Sequence, residues 1–231
     1  MFDALDVAVH DARSASEGES GRLVVGYPSS LAYSGLPELL RAFRTRFPSI
    51  EISLRELPPA DQIDGLKAGS LDVGFVRTSL DDPTLSAELV RREPLMVVLP
   101  DDHPLGRQRS IPLKALAREP FVMFPRARGP AFFDQLMALC GRAGFTPRIV
   151  QEAAQLDIVS LVAAGFGVTL MPSSMRNFRR PGVAFRPIVG APQVELLIVW
   201  RQQNLSRALH NFVDLVRVMG VNQQHRSRSN S

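Results

Sequence analysis

Groups suited to holding a small anion occur in three loops of this chain. In the first loop, residues 27–30 read Tyr-Pro-Ser-Ser and stand between a predicted strand and a predicted helix. Ser29 or Ser30 could bind an anion there through the hydroxyl, free backbone N–H groups and the helix dipole together. Serine is also a favoured N-cap residue, so either side chain could instead cap the helix. The spacing leaves both roles open.

The second and third loops offer different groups. Residues 57–60 read Leu-Pro-Pro-Ala, which is typical of a rigid turn with proline at a helix N-terminus. Residues 124–130 carry Arg126 and Arg128, which can meet a carboxylate with bidentate geometry or lie on the surface as solvated charges. Phe132, just beyond this loop, is either an apolar wall for a ligand or a core residue.

Groups that would support catalysis are scattered along the chain. The four histidines lack a spaced cysteine, aspartate or second histidine that would indicate a metal site or a catalytic triad. Residues 101–103, Asp-Asp-His, have the composition of a solvated turn. The single cysteine, Cys140, lies on an apolar helix face, which favours an inert buried thiol over a redox sensor. We therefore expect no enzyme, no cofactor and no metal site.

The composition indicates a globular protein, because 45% of the residues are hydrophobic and 22% are charged. The net charge of +4 is spread along the chain, so it favours small anions and not a nucleic-acid surface. The sequence has neither an apolar run of about 18 residues nor a secretory signal. These features predict a cytoplasmic protein that does not enter a membrane.

The two ends of the chain differ from its middle. Phe2, Leu5 and Val9 have helical spacing, and the Ser/Glu/Gly-rich stretch up to residue 20 is typical of a flexible linker. Residues 221–231 are polar, which predicts a disordered tail. Between the ends, strands alternate with helices, so we expect right-handed βαβ crossovers and a mostly parallel sheet.

Two apolar runs, residues 95–99 and 194–200, predict strands that cross between two lobes. The predicted fold is therefore α/β, with two Rossmann-like lobes joined by two crossover strands, as in type 2 periplasmic binding proteins. Lobe I would comprise residues 21–93 and 200–220, and lobe II residues 94–199. Ligands of open α/β sheets lie at the carboxyl ends of the strands, so the three loops should meet in the cleft between the lobes.

The most distinctive segment is residues 162–172, Val-Ala-Ala-Gly-Phe-Gly-Val-Thr-Leu-Met-Pro. Gly165 would end a helix where positive φ is usually needed, and the apolar run from Phe166 to Met171 predicts a buried strand closed by Pro172. This segment resembles the effector-binding domain of LysR-type transcriptional regulators, whose members often carry Val-Ala-Ala-Gly-x-Gly-Val-x-Leu-x-Pro here. Residues 36–48, 65–75 and 100–105 resemble further segments of that family, so the resemblance covers about residues 21–219.

The resemblance implies a ligand site in the interlobe cleft. In muconate-responsive members a threonine of the second loop binds the effector carboxylate, and Pro59 stands at that place without a hydroxyl or an amide donor. Gln155 would lie at the cleft, although it could instead cap its helix. The implied ligand-binding residues are Ser29, Ser30, Pro59, Ala60, Phe75, Arg126, Pro130, Ala131, Phe132 and Gln155.

The resemblance also implies a function. The domain would bind a small organic anion, such as a carboxylate of aromatic catabolism, and would form dimers or tetramers for which the exposed side of helix 36–47 is a candidate contact. The family's N-terminal winged helix-turn-helix has no counterpart in this sequence, so residues 1–20 would be the end of the linker helix followed by a flexible linker. Contact with DNA is expected only through that separate domain. A solute-binding receptor of a transport system shares the fold and stays open as the alternative.

Overall fold

The computed structural model describes residues 20–77, 80, 82–190 and 192–228, without the side chains of Ser20, Gln155 and residues 221–228. The linker expected at residues 1–20 lies outside this description, except that Ser20 begins the first strand. The strands are β1 Ser20–Tyr27, β2 Ser49–Glu56, β3 Val73–Val76, β4 Leu85–Pro100, β5 Pro120–Met123, β6 Arg148–Glu152, β7 Thr169–Pro172, β8 Val183–Pro187 and β9 Gln193–Arg201. The α-helices are α1 Leu36–Arg46, α2 Pro59–Lys67, α3 Pro130–Arg142, α4 Gln155–Ala163 and α5 Arg207–Arg228.

Lobe I is built on three parallel strands in the order β2-β1-β3, with β9 antiparallel to β3. The helical stripe predicted in α1 is present, since Leu36, Leu39 and Phe43 are buried on one face. Phe43 packs edge-on against Phe212 of α5, with the ring centroids 5.1 Å apart. The first lobe therefore folds around an α1–α5 contact over the sheet.

Two strands cross between the lobes, as predicted. β4 pairs with β9 from Leu85 to Pro94, and its remaining residues pair with β7 on one side and β8 on the other. Val194 packs in the core of lobe II, whereas Leu196 already packs in the core of lobe I. The second crossing therefore lies near residue 195 and not at the predicted 199/200 boundary.

Lobe II contains the parallel pair β5 and β6, which joins β7 through the residue before it. The Val168 N–H donates to the Pro120 carbonyl at 2.8 Å, and the Val122 N–H donates to the Val168 carbonyl at 2.9 Å. The predicted α/β architecture of two lobes and two crossing strands is thus confirmed. The sheet predicted to be mostly parallel is instead mixed, because β4 and β9 pair antiparallel with all their neighbours.

Three segments differ from their predictions. β8 was not predicted, and Phe166, expected in a buried strand, precedes β7 and is 50% exposed. α5 continues through Arg228, whereas a disordered tail was predicted from residue 221 onwards. Residues 229–231 lie outside the described part of the chain.

Candidate functional site

A cavity of about 250 Å³ lies between the lobes. Its walls come from the loops that follow β1, β2 and β3 in lobe I and β5 and β6 in lobe II, so five carboxyl ends of parallel strands meet there. The lining residues are Pro28, Ser29, Ser30, Glu56, Leu57, Pro58, Pro59, Arg77, Phe124, Arg128, Gly129, Phe132, Ala154, Leu156 and Asp157.

Both serines of the first loop line the cavity. They lie in a 3₁₀ turn, Ser29–Tyr33, whose N-cap is Pro28, while the N-cap of α1 is Gly35, so the capping role considered for the serines is wrong. Ser30 is only 1% exposed, and no hydrogen bond to its hydroxyl is found among the described residues. A contact between this hydroxyl and a ligand stays a prediction.

The second loop contributes one of its two predicted residues. Pro59 lines the cavity as the first residue of α2, directly after the N-cap Pro58. Ala60 is exposed and is not part of the lining, which corrects its prediction as a site residue. The first turn of a helix presents only one side to a neighbouring cavity.

In the third loop it is Arg128, not Arg126, that lines the cavity. Arg126 is turned to the surface, where Nε and Nη2 bind the two carboxylate oxygens of Asp134 at 2.7 and 2.6 Å. The solvated-charge interpretation therefore holds for Arg126, and its assignment to the site is not supported by its position.

Of the three predicted site residues at the start of α3, one lines the cavity and two do not. Pro130 and Ala131 are exposed and lie outside the lining, contrary to prediction. Phe132 lines the cavity and stacks on Phe124, with ring centroids 5.8 Å apart and an interplanar angle of 5°. Phe132 is also 8% exposed and belongs to the core of lobe II, which confirms the core role considered for it, while its contact with a ligand stays a prediction.

The last two predicted residues are Phe75 and Gln155. Phe75 lies in the core of lobe I, where its ring centroid is 6.3 Å from that of Phe212 of α5. It does not line the cavity. Gln155 is the first residue of α4, and the N-cap is Ala154, so Gln155 is not itself the cap residue. The side chain of Gln155 lies outside the described part of the structure, and its contact with a ligand stays a prediction.

The sequence analysis missed Arg77, which follows directly on β3. This side chain lines the cavity although the residue is only 6% exposed. Its Nη2 donates to Glu93 Oε1 at 2.6 Å, whereas Nε and Nη1 are buried without a partner among the described residues. The rule that ligands lie at carboxyl strand ends points to this residue, because β3 ends at Val76.

Glu93 connects Arg77 to the second lobe. It lies on β4 next to the crossing, accepts the backbone N–H of Ser174 at 2.9 Å and contacts Arg91 Nε at 3.4 Å. Burial alone would raise the pKa of Glu93, but the charges of Arg77 and Arg91 and the Ser174 hydrogen bonds lower it to about 2. Burial also lowers the pKa of Arg77, yet a guanidinium keeps its proton at neutral pH. Glu93 is thus the shared counter-ion of Arg77 and Arg91.

Three further charged residues line the cavity, and all three are exposed. Glu56 ends β2, Arg128 lies in the third loop, and Asp157 stands in the first turn of α4. We call Glu56, Arg128 and Asp157 the rim. The pKa of the neighbouring Tyr27 is raised by burial first and then by the negative charge of Glu56.

The other chemical groups have structural roles. His103 caps a 3₁₀ turn, where its Nδ1 accepts the Leu105 N–H at 3.2 Å, in agreement with the turn predicted there. Cys140 is buried, and desolvation raises its pKa to about 11, in agreement with an inert thiol. Within the described residues, no group of three potential metal ligands is found, and no helix is long and apolar enough to cross a bilayer.

Residues 16–219 match the family described as the LysR substrate binding domain. The chain belongs to this family. The resemblance found in the sequence is thereby confirmed.

Relatives of this LysR domain are regulators. The chain is 32% identical over 209 residues to the HTH-type transcriptional regulator AlsR of Bacillus subtilis, covering 88% of the chain and 68% of the relative. It is 36% identical over 217 residues to the HTH-type transcriptional regulator IlvR of Caulobacter vibrioides, covering 92% of the chain and 73% of the relative. Both relatives are named as transcriptional regulators, which favours the regulator interpretation of this LysR domain.

A solved structure supports the same relationship. The effector binding domain of BenM with its effector benzoate superposes on this LysR domain with a TM-score of 0.80, at 26% identity, covering 88% of this chain and 93% of that one. The two-lobed fold and the family are therefore supported independently.

Proposed function

We propose that this LysR-type domain senses a small organic carboxylate that binds in the cleft with its negative charge at Arg77. The observation that carries the proposal is the pair of buried Arg77 donors, Nε and Nη1, without a protein partner among the described residues. Buried donors normally have an acceptor, since a buried N–H group without a hydrogen bond costs free energy. A carboxylate oxygen accepts a charge-assisted hydrogen bond from such a donor, which is stronger than a bond between neutral groups.

The remaining walls suit an apolar ligand body. The stacked pair Phe124 and Phe132 faces the cavity together with Leu57, Pro59 and Leu156. Aromatic walls of this kind bury an aromatic or unsaturated ligand favourably. The benzoate effector of BenM, a carboxylate on a ring, is consistent with this division into a charged and an apolar part.

The proposed signal is a shift between interlobe angles. Because the ligand contacts both lobes, it favours the angle at which both sets of contacts form. Glu93 extends the connection, since it holds Arg77 on one side and the Ser174 backbone of lobe II on the other. In the full regulator, a cytoplasmic dimer or tetramer, this change would reach a separate DNA-binding domain.

The test is calorimetric titration of the domain with benzoate and with benzamide. The two probes have nearly the same shape and differ in the negative charge. We expect benzoate to bind at least about tenfold more tightly, because its charge-assisted bonds to Arg77 replace unmade ones. Equal affinities for the two probes would contradict the proposal. Binding of sugars or zwitterionic amino acids alone would contradict it as well.

Variants locate the contact. Removing Arg77 alone would leave Glu93 buried without this counter-ion. Arg77→Met is therefore combined with Glu93→Gln, which keeps an acceptor for the Ser174 N–H. We expect this pair to lower benzoate affinity on the order of 100-fold, and Ser30→Ala to lower it by several-fold. Thermal melting monitors folding. A folded double variant that keeps wild-type affinity would remove Arg77 from the site.

A further inference from the structure

The charged residues that line the cavity differ between its buried and its exposed end. The buried end carries Arg77, whose counter-ion Glu93 lies outside the lining. The rim carries the carboxylates of Glu56 and Asp157 and the guanidinium of Arg128, with a net negative charge. No ion pair that engages a rim residue is found in the described parts of the chain. One end thus attracts a negative charge and the other repels it.

We infer that the site is selective for monocarboxylates with an uncharged far end, and that Glu56 and Asp157 are the residues that reject dicarboxylates. The inference rests on the proposed function, since it takes the first carboxylate to lie at Arg77. Apart from Arg77, every charged residue that lines the cavity belongs to the rim. A second carboxylate beyond the reach of Arg77 therefore meets the rim.

Among the described residues of the rim, Arg128 is the cationic side chain that could hold a second carboxylate. It is exposed, so its attraction is screened by solvent and salt, and two rim carboxylates outnumber it. Pro59, in the second loop, adds neither a hydroxyl nor an N–H donor to the lining of the cavity. The balance at the far end of the cavity is therefore against a second negative charge.

Sorbate and trans,trans-muconate form a matched pair of probes. Both are six-carbon dienes, and they differ in that a methyl group of sorbate is replaced by a carboxylate in muconate. We expect sorbate to bind about tenfold more tightly in calorimetric titrations at low salt. The ratio should fall as salt is added, because the rim charges are exposed.

Removing the negative charges of the rim tests whether Glu56 and Asp157 cause the preference for sorbate. Glu56→Gln with Asp157→Asn should bring the sorbate-to-muconate affinity ratio close to one, mainly by strengthening muconate binding. Glu51→Gln with Asp61→Asn is the control, since it makes the same charge change in the same two kinds of position, on β2 and in the first turn of a helix, outside the cavity lining. This control pair should leave the ratio unchanged.

Three outcomes overturn the inference. The first is muconate binding as tightly as sorbate to the wild-type domain, and the second is an unchanged ratio in the Glu56/Asp157 variant. The third is a selective loss of muconate binding in Arg128→Gln, since Arg128 would then hold the second carboxylate. Failure of the proposed function has a different signature, because benzoate would then bind no better than benzamide and sorbate would show no dependence on Arg77.

Discussion

Glu93 is buried beside two guanidinium groups at the point where β4 passes between the lobes. Its pKa in the folded protein, about 2, lies below the ordinary value of 4.5. Folding therefore favours the ionised form, and this contribution to stability is complete above about pH 4.5 and is lost as the pH falls towards 2. The difference in pKa corresponds to a free energy on the order of 3 kcal/mol.

Glu93→Gln tests this linkage. We expect the variant to unfold with about 3 kcal/mol less free energy than the wild type at pH 7, since Arg77 loses its counter-ion in the interior. The difference in free energy of unfolding between the two proteins should disappear between about pH 4.5 and 2, where Glu93 becomes protonated in the wild type. Urea unfolding at a series of pH values measures both. Parallel pH dependences for the two proteins would show that Glu93 is not the titrating group.

Residue identities in the cleft were only partly predictable. The loops after the strands were recognised, and with them Ser29, Ser30 and Pro59. The sequence did not show which side of a loop or first helical turn faces inward, because that depends on contacts elsewhere in the chain. Arg126 illustrates this, since its orientation is fixed by a carboxylate of the following helix, Asp134.

At the scale of elements, two glycines connect α4 to β7 in different ways. Gly165 has φ +81° and a Cβ there would meet open space, whereas Gly167 has φ +152° and a Cβ would lie 2.3 Å from the Pro120 carbonyl oxygen. The close approach at Gly167 allows the neighbouring Val168 to bond with β5. Gly165 therefore serves only the conformation of the turn, and Gly167 serves the packing of two strands as well.

Alanine at each position separates the two effects. We expect Gly165→Ala to lower the free energy of unfolding by about 1 kcal/mol, the cost of a left-handed conformation. Gly167→Ala should cost at least about 3 kcal/mol, since backbone strain and a backbone clash add. Urea denaturation of the two variants gives the comparison. Equal losses would mean that the strand β5 gives way to the added methyl group at little cost.

Most elements could be predicted because their hydrophobic periods are regular. The run 95–99 indicated only the apolar end of β4, since the strand begins at Leu85 and residues 86–92 are half-buried or exposed. β8 has no fully buried residue and so gave no apolar pattern. Hydrophobic periodicity in the sequence indicates which residues are buried. These two segments are strands because they pair with neighbouring strands, and such pairing leaves no apolar pattern.

At the scale of the whole molecule, the lobes touch at a second place besides the crossing strands. Tyr33, after the first loop of lobe I, packs edge-on against Phe178 of lobe II with ring centroids 4.9 Å apart. Asn177 Nδ2 also donates to the Tyr33 carbonyl at 3.1 Å. The alternation of strands and helices predicted the two lobes, but these partners are far apart in sequence and follow no periodic pattern. Their contact depends on the angle between the lobes, which sequence periodicity does not encode.

Phe178→Ala should weaken ligand binding without touching the cleft. If the Tyr33–Phe178 contact belongs to the interlobe angle that binds the ligand, its loss lowers the population of that angle and raises the apparent Kd in proportion. An aromatic pair of this kind predicts about a three- to tenfold loss of benzoate affinity by calorimetry. Phe166→Ala, a half-exposed phenylalanine of lobe II without this bridging role, is the matched control and should bind as the wild type does. Unchanged affinity in Phe178→Ala would mean that the contact persists at both angles, and the coupling would then rest on the crossing strands and Glu93 alone.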